Sequence, residues 1–138
     1  MLRSLVTHIL LRRDEMVLMD MYAGVEHLGR ATGDAVDAML IVVEPTARSL
    51  GTAAQIKKLA EDLRMQRLYL VGSRVQGEAD QDFIRQRSPG LPVLGFLPED
   101  PGVREADRSG LPAFDTSPAL AQASRAIARE LHRTRPAG

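Results

Sequence analysis

Residues Met16 to Arg30 read MVLMDMYAGVEHLGR, and the fold turns on that stretch. A short apolar run, Met16 to Met19, ends in Asp20, and a glycine follows at Gly24. A buried strand that ends in an acid delivers a carboxylate to the carboxyl edge of a sheet, where open parallel sheets place their ligands. A glycine just beyond it lets a backbone N–H approach a phosphate with no Cβ in the way. Phosphate-handling α/β proteins bring a carboxylate to a metal ion in this manner. The same pattern also suits an Asp that merely caps the turn after the strand.

Outward from this stretch, helical and strand-like segments alternate. Leu2, Leu5, Val6, Ile9 and Leu10 recur at helical spacing and predict an amphipathic helix. After the Asp20 loop, a turn or short helix is expected near Leu28 to Val36. Ala38 to Val43 is a continuous apolar run bounded by Asp37 and Glu44-Pro45, as in a parallel strand buried on both faces. Pro45 and Thr46 open a helix with Ala53, Ala54, Ile56, Leu59, Ala60 and Leu63 on one side, and Lys57, Lys58, Glu61 and Asp62 form its solvated face. Leu68 to Val71 predicts a strand leading into a loop at Gly72-Ser73-Arg74. Helix follows from about Glu78 to Gln86, broken by Ser88-Pro89-Gly90. Val93 to Leu97 predicts a strand closed by Pro98, and a short helix is expected near Val103 to Arg108. The last helix starts at Ser117-Pro118, with Ser117 as N-cap, and runs to about Thr134. The alternation predicts an α/β fold, a parallel sheet of about four strands with helices on both faces. Residues 1–134 are expected to form a single α/β domain and residues 135–138 a disordered tail.

Composition narrows the function. With 138 residues and 44% hydrophobic content, the chain is long enough for one domain with a sizeable core. Its 18 basic and 18 acidic residues cancel, so no global field favours nucleic acid or an anionic membrane. There is no cysteine, which excludes disulfides and thiolate metal sites within the chain. The opening apolar stretch is too short for a membrane span and too soon interrupted by charge for a secretory signal. A cytoplasmic protein is the expectation. One feature of the usual nucleotide-binding α/β pattern is missing: no Gly-rich loop precedes Asp20, and Lys57 and Lys58 lie mid-helix rather than in a Gly-x-Gly-Lys context.

Asp20 to Arg30 resembles the switch II segment of the carbon monoxide dehydrogenase accessory (nickel-insertion) ATPases, of the deviant P-loop class that includes MinD and the nitrogenase iron protein. The likeness continues through Val42-Val43-Glu44-Pro45, Ser49 to Ala53, Val71 to Val75, Leu94 to Pro98 and Glu105 to Gly110. It covers roughly residues 1 to 115 and maps onto the C-terminal half of such a protein. The family's P-loop and its Cys-x-Cys motif would lie upstream of Met1. The resemblance implies an accessory protein that couples ATP binding to nickel delivery. Asp20 would hold the Mg²⁺ shell, the Gly24 N–H would sense the γ-phosphate, and Ala23, Glu26, His27 and Arg30 would belong to the switch loop. Ser73, Arg74 and Asp107 would line the base pocket. The base pocket departs from the pattern, because the family usually has Asn-Lys where Ser73-Arg74 stands. A hydroxyl lacks the paired donor and acceptor of an amide.

Each of these residues also has a plainer reading. Arg30 suits a surface charge, and Asp107 a solvated helix position. Glu26 beside His27 resembles an acid/base or metal pair. One imidazole with one carboxylate is not a ligand set, and His8 and His132 stand far off in sequence, so no metal site is expected. Mg-ATP is the cofactor of the complete family protein, but without a phosphate cradle this chain alone is expected to bind none and to be inactive as an ATPase. The partners implied are carbon monoxide dehydrogenase and either a second copy or a separately encoded N-terminal half. The alternative function is a non-enzymatic interaction module, or half of a split NTPase, that associates through an open sheet edge.

Overall fold

The computed structural model describes residues 15–21 and 36–136. The helix expected at Leu2 to Leu10 lies outside the described residues, as does the turn expected near Leu28 to Val36 except for Val36 itself. Strands β1 (Met39–Val43), β2 (Leu68–Val75) and β3 (Val93–Pro98) alternate with helices α1 (Ala47–Asp62) and α2 (Glu78–Arg87). Helices α3 (Pro101–Ser109), α4 (Ala113–Thr116) and α5 (Pro118–Arg133) complete the order. The strands form one parallel sheet in the order β1-β2-β3, with Met39 opposite Leu68 and Gly72 opposite Phe96. The fold class is therefore the one expected, α/β with a parallel sheet.

The side chains show why helices cover both faces. Ile41, Val43 and Leu70 point to one face and pack with Leu50 and Ala53 of α1 and Ile84 of α2. Gly95 lies on the other face of β3, where a Cβ would stand 2.7 Å from Ile127 Cγ1 of α5. At the C-cap of α5, the Thr134 side chain reaches the Tyr69 phenol of β2 and, with Arg67 beside it, lowers the Tyr69 pKa. Helices α1 and α2 thus cover one face, and α5 the other at β2 and β3.

Two expectations change. The apolar run Met16 to Met19 is not a strand: residues 15–21 have no regular structure, and Leu18 is 82% exposed. An apolar tetrapeptide becomes a strand only when a neighbour takes its N–H and C=O groups, and no described strand does so. The described sheet therefore has three strands. Second, Gly72-Ser73-Arg74 is not a loop but the continuation of β2 to Val75. A Cβ at Gly72 would stand 2.5 Å from Phe96 Cδ1 and 2.9 Å from Ile84 Cδ1, so the glycine is required by close packing inside the sheet.

Candidate functional site

The carboxyl ends of the three parallel strands carry a connected group of charges. Glu44 follows β1, Arg74 stands near the end of β2, and Glu99 follows β3. The β2–β3 register slips between Gly72 and Val75, and Arg74 has a φ of 56°. An irregularity of this kind turns a side chain out of the pleat and re-aims it. Here it sends the guanidinium across both neighbouring strands. Arg74 Nε donates to Glu99 Oε2 at 2.9 Å, and Arg74 Nη1 donates to Glu44 Oε1 at 3.3 Å. Arg104 of α3 reaches the other Glu99 oxygen at 3.4 Å. Glu99, and then Glu44, raise the pKa of Arg74 above its ordinary value.

Behind these carboxylates lie the helix starts. The Glu44 N–H donates to Ser49 Oγ, and the Ser49 N–H donates to the N-cap Thr46. Asp100 caps α3 by accepting from the Gly102 N–H at 2.8 Å. Its other oxygen accepts from the hydroxyl of Ser117, a fully buried side chain. Ser117 Oγ in turn accepts the Leu120 N–H as the N-cap of α5. These bonds, Ser117 first and Gly102 second, hold the Asp100 carboxyl below its usual pKa.

The chemistry of this edge is that of carboxylates and a bound guanidinium. A phosphate needs free N–H groups at a helix N-terminus or a basic loop. Of the three helices that follow these strands, α2 carries Glu78 and Asp80 in its first turn, and the first-turn Gly102 N–H of α3 is taken by Asp100. At the start of α1 the Ser49 N–H is taken by the Thr46 side chain. These three helix starts therefore do not form a triphosphate cradle. No group of three or more His, Asp or Glu side chains among them is arranged to hold a metal ion.

The residues singled out from sequence separate here. Ser73 and Arg74 stand together at the end of β2, Ser73 half-buried and Arg74 in the ion network. Asp107 is exposed on α3, outside the network. A cleft of ≈ 520 Å³ beside α3 is lined by Glu99, Arg104, Glu105 and Arg108 rather than by Asp107. Asp20 is exposed and does not end a strand. Ala23, Gly24, Glu26, His27 and Arg30 lie outside the described residues. Sequence reasoning missed Glu44 and Glu99 as site residues. The signal was available, since the rule applied to Asp20, an acid directly after an apolar run, applies equally after Met39–Val43 and Val93–Pro98.

No protein-family model matches the sequence. The chain is 42% identical over 127 residues to the carbon monoxide dehydrogenase accessory protein CooC of Rhodospirillum rubrum, covering 92% of this chain and 48% of CooC. It is 47% identical over 115 residues to an uncharacterized ATP-binding protein of Methanocaldococcus jannaschii, covering 81% of this chain and 44% of that protein. The chain thus spans about half the length of the curated relatives it matches. Among solved structures, the MinD cell division protein of Aquifex aeolicus superposes with a TM-score of 0.65 at 21% identity, over 83% of this chain and 51% of MinD. A ParA family ATPase from Chlorobium tepidum gives a TM-score of 0.61 at 22% identity, over 80% of this chain and 47% of that structure.

Proposed function

This chain is CooC-like and has the fold of the MinD/ParA P-loop ATPases, and from that premise we propose that it supplies the base-side half of an ATP-dependent accessory protein for carbon monoxide dehydrogenase. The identity to CooC over nearly the whole chain is the observation that carries the reading. The step assisted would be nickel insertion. In the complete protein, Asp20 would hold the Mg²⁺ shell and the Gly24 N–H would sense the γ-phosphate. The switch loop with Ala23, Glu26, His27 and Arg30 would pass that state to a dimer interface. The strand-end edge at Ser73 and Arg74 would face the base, and Asp107 would flank it. Residues 1–134 act as one unit in this reading, and the location is cytoplasmic.

The phosphate cradle must then come from polypeptide other than the described residues. The 138-residue chain alone should give no saturable Mg-ATP binding in calorimetry at micromolar concentration. A chimaera joining it to the part of CooC that it does not match should bind and hydrolyse Mg-ATP and support nickel-dependent activation of carbon monoxide dehydrogenase. Asp20→Asn should abolish the hydrolysis. A folded chimaera that binds no Mg-ATP would sink the proposal.

One observation favours the second reading, an interaction module. The outer edge of β1 has no partner among the described strands, and Val42 is 60% exposed there. A groove of ≈ 320 Å³ runs between that edge and α1, lined by Ile41, Val42, Ala53 and Ile56 with Thr46 and Arg48. An added strand would satisfy the edge and fill the groove. It would come from a second copy or from a separately encoded half.

A further inference from the structure

The Arg74 network links features that are separate in sequence. An L residue at φ 56° occupies the left-handed region at a conformational cost, and such strain persists where the surroundings demand it. The irregular register at the same point aims the guanidinium across two strands rather than along one. Each carboxylate it meets begins a path to a helix cap. From Glu44 the path runs through its own N–H and Ser49 to the Thr46 cap of α1. From Glu99 it runs through the next residue, Asp100, to Gly102 of α3 and through Ser117 to Leu120 of α5. The Glu99 N–H also bonds the Val75 carbonyl, which fixes Glu99 against the strand that carries Arg74.

We propose that Arg74 is an ionic strap that makes the loops after β1 and β3 open and close as one unit. The start of α1 is thereby coupled to the starts of α3 and α5. The inference stands independently of any nucleotide. Its rival is that the two ion pairs are unrelated surface contacts, which in exposed settings commonly contribute almost nothing.

Amide hydrogen exchange by NMR on the folded chain separates the two. The reporters are the Glu44 and Ser49 amides on one side and the Gly102 and Leu120 amides on the other. Arg74→Gln removes the charge and keeps the strained backbone. Arg74→Gly removes the charge and relieves the backbone, so it should lose less global stability than Arg74→Gln. Both should speed exchange of all four amides by about three- to ten-fold, the loss expected for two partly exposed ion pairs. Glu44→Gln, which leaves Arg74 and Glu99 in place, should still speed the Gly102 and Leu120 amides at least about two-fold. Raising the salt to about 0.5 M should reproduce the effect in the unmodified chain and add nothing in the Arg74 variants. Glu44→Gln confined to the Glu44 and Ser49 amides would overturn the proposal. Exchange that follows global stability, with all four amides clearly less affected in Arg74→Gly than in Arg74→Gln, would overturn it as well.

Discussion

Gly95→Ala tests how α5 is held against the sheet. Gly95 lies in β3, and a Cβ built there stands 2.7 Å from Ile127 Cγ1 and 3.4 Å from Ile127 Cδ1. Cγ1 is not the free tip of a flexible side chain; it is one bond from Cβ, and Ile127 is a buried residue of a sixteen-residue helix. Relief requires moving the helix or forcing the rotamer, and overpacking of this kind costs about 1–3 kcal/mol. For a chain of this size that is a fall in Tm of about 3–5 °C per kcal/mol. Ile127→Ala alone removes the clashing atoms and leaves a cavity, at about 2–5 kcal/mol. In the double variant the new methyl group enters part of that cavity, so the two losses should not add. The combined loss should be at least about 1 kcal/mol smaller than their sum, and close to that of Ile127→Ala alone. Urea unfolding followed by circular dichroism gives the four stabilities of the cycle. Additivity within about 0.5 kcal/mol would refute the packing of α5 described here.

Asp100 should make part of the chain's stability dependent on acid. Its folded pKa is depressed by Ser117 and Gly102, so its contribution is fully present above the unfolded carboxylate pKa of about 3.9 and is lost as pH falls through the folded value. Asp100→Asn should therefore lose less stability than the unmodified chain between pH 5 and low pH, and parallel acid curves would contradict this. Ser117→Ala removes the N-cap of α5 and should cost about 0.5–2 kcal/mol at neutral pH, read by urea unfolding; a change under about 0.3 kcal/mol would show the cap to be idle. The β1 edge, unpartnered among the described strands, should make the 15.1 kDa chain associate at micromolar concentration in sedimentation equilibrium, and Val17→Lys or Val42→Lys should shift it toward monomer. A clean monomer in the unmodified protein would remove the case for edge pairing.

Much of the fold was legible because local chemistry and tertiary packing agree. Ala38 to Val43 reads as a strand, and β1 spans Met39–Val43 because the run is apolar and flanked by Asp37 and Glu44-Pro45. Ser117-Pro118 reads as a helix start, and Ser117 does cap the Leu120 N–H. Where the reading failed, the deciding interaction lay far off in sequence. Gly72 signals a loop to a local reading, yet it is needed under Phe96 and Ile84, residues that no spacing rule connects to it. Met16 to Met19 has strand composition, but composition supplies no hydrogen-bond partner. The strand-end site was half legible. Arg74 was named for its place in a motif, while the carboxylates that hold it come from the ends of two other strands. Only the parallel register brings all three together.

The covering of one sheet face by the last helix has a consequence for how the protein is made. The three described strands and α1 to α4 precede Pro118, so a nascent chain can pair β1, β2 and β3 while Gly95 and Tyr69 still lack α5. That cover is complete only when residues 118 to 134 have left the ribosome, because Ile127 covers Gly95 and Thr134 reaches Tyr69. Premature termination just before Pro118 would release a sheet without the α5 cover over Gly95 and Tyr69, a substrate for aggregation or proteolysis. A stop just after Arg135 would leave every one of these contacts in place. The C-terminus thus tolerates a fusion partner after Thr134 and no shortening before it.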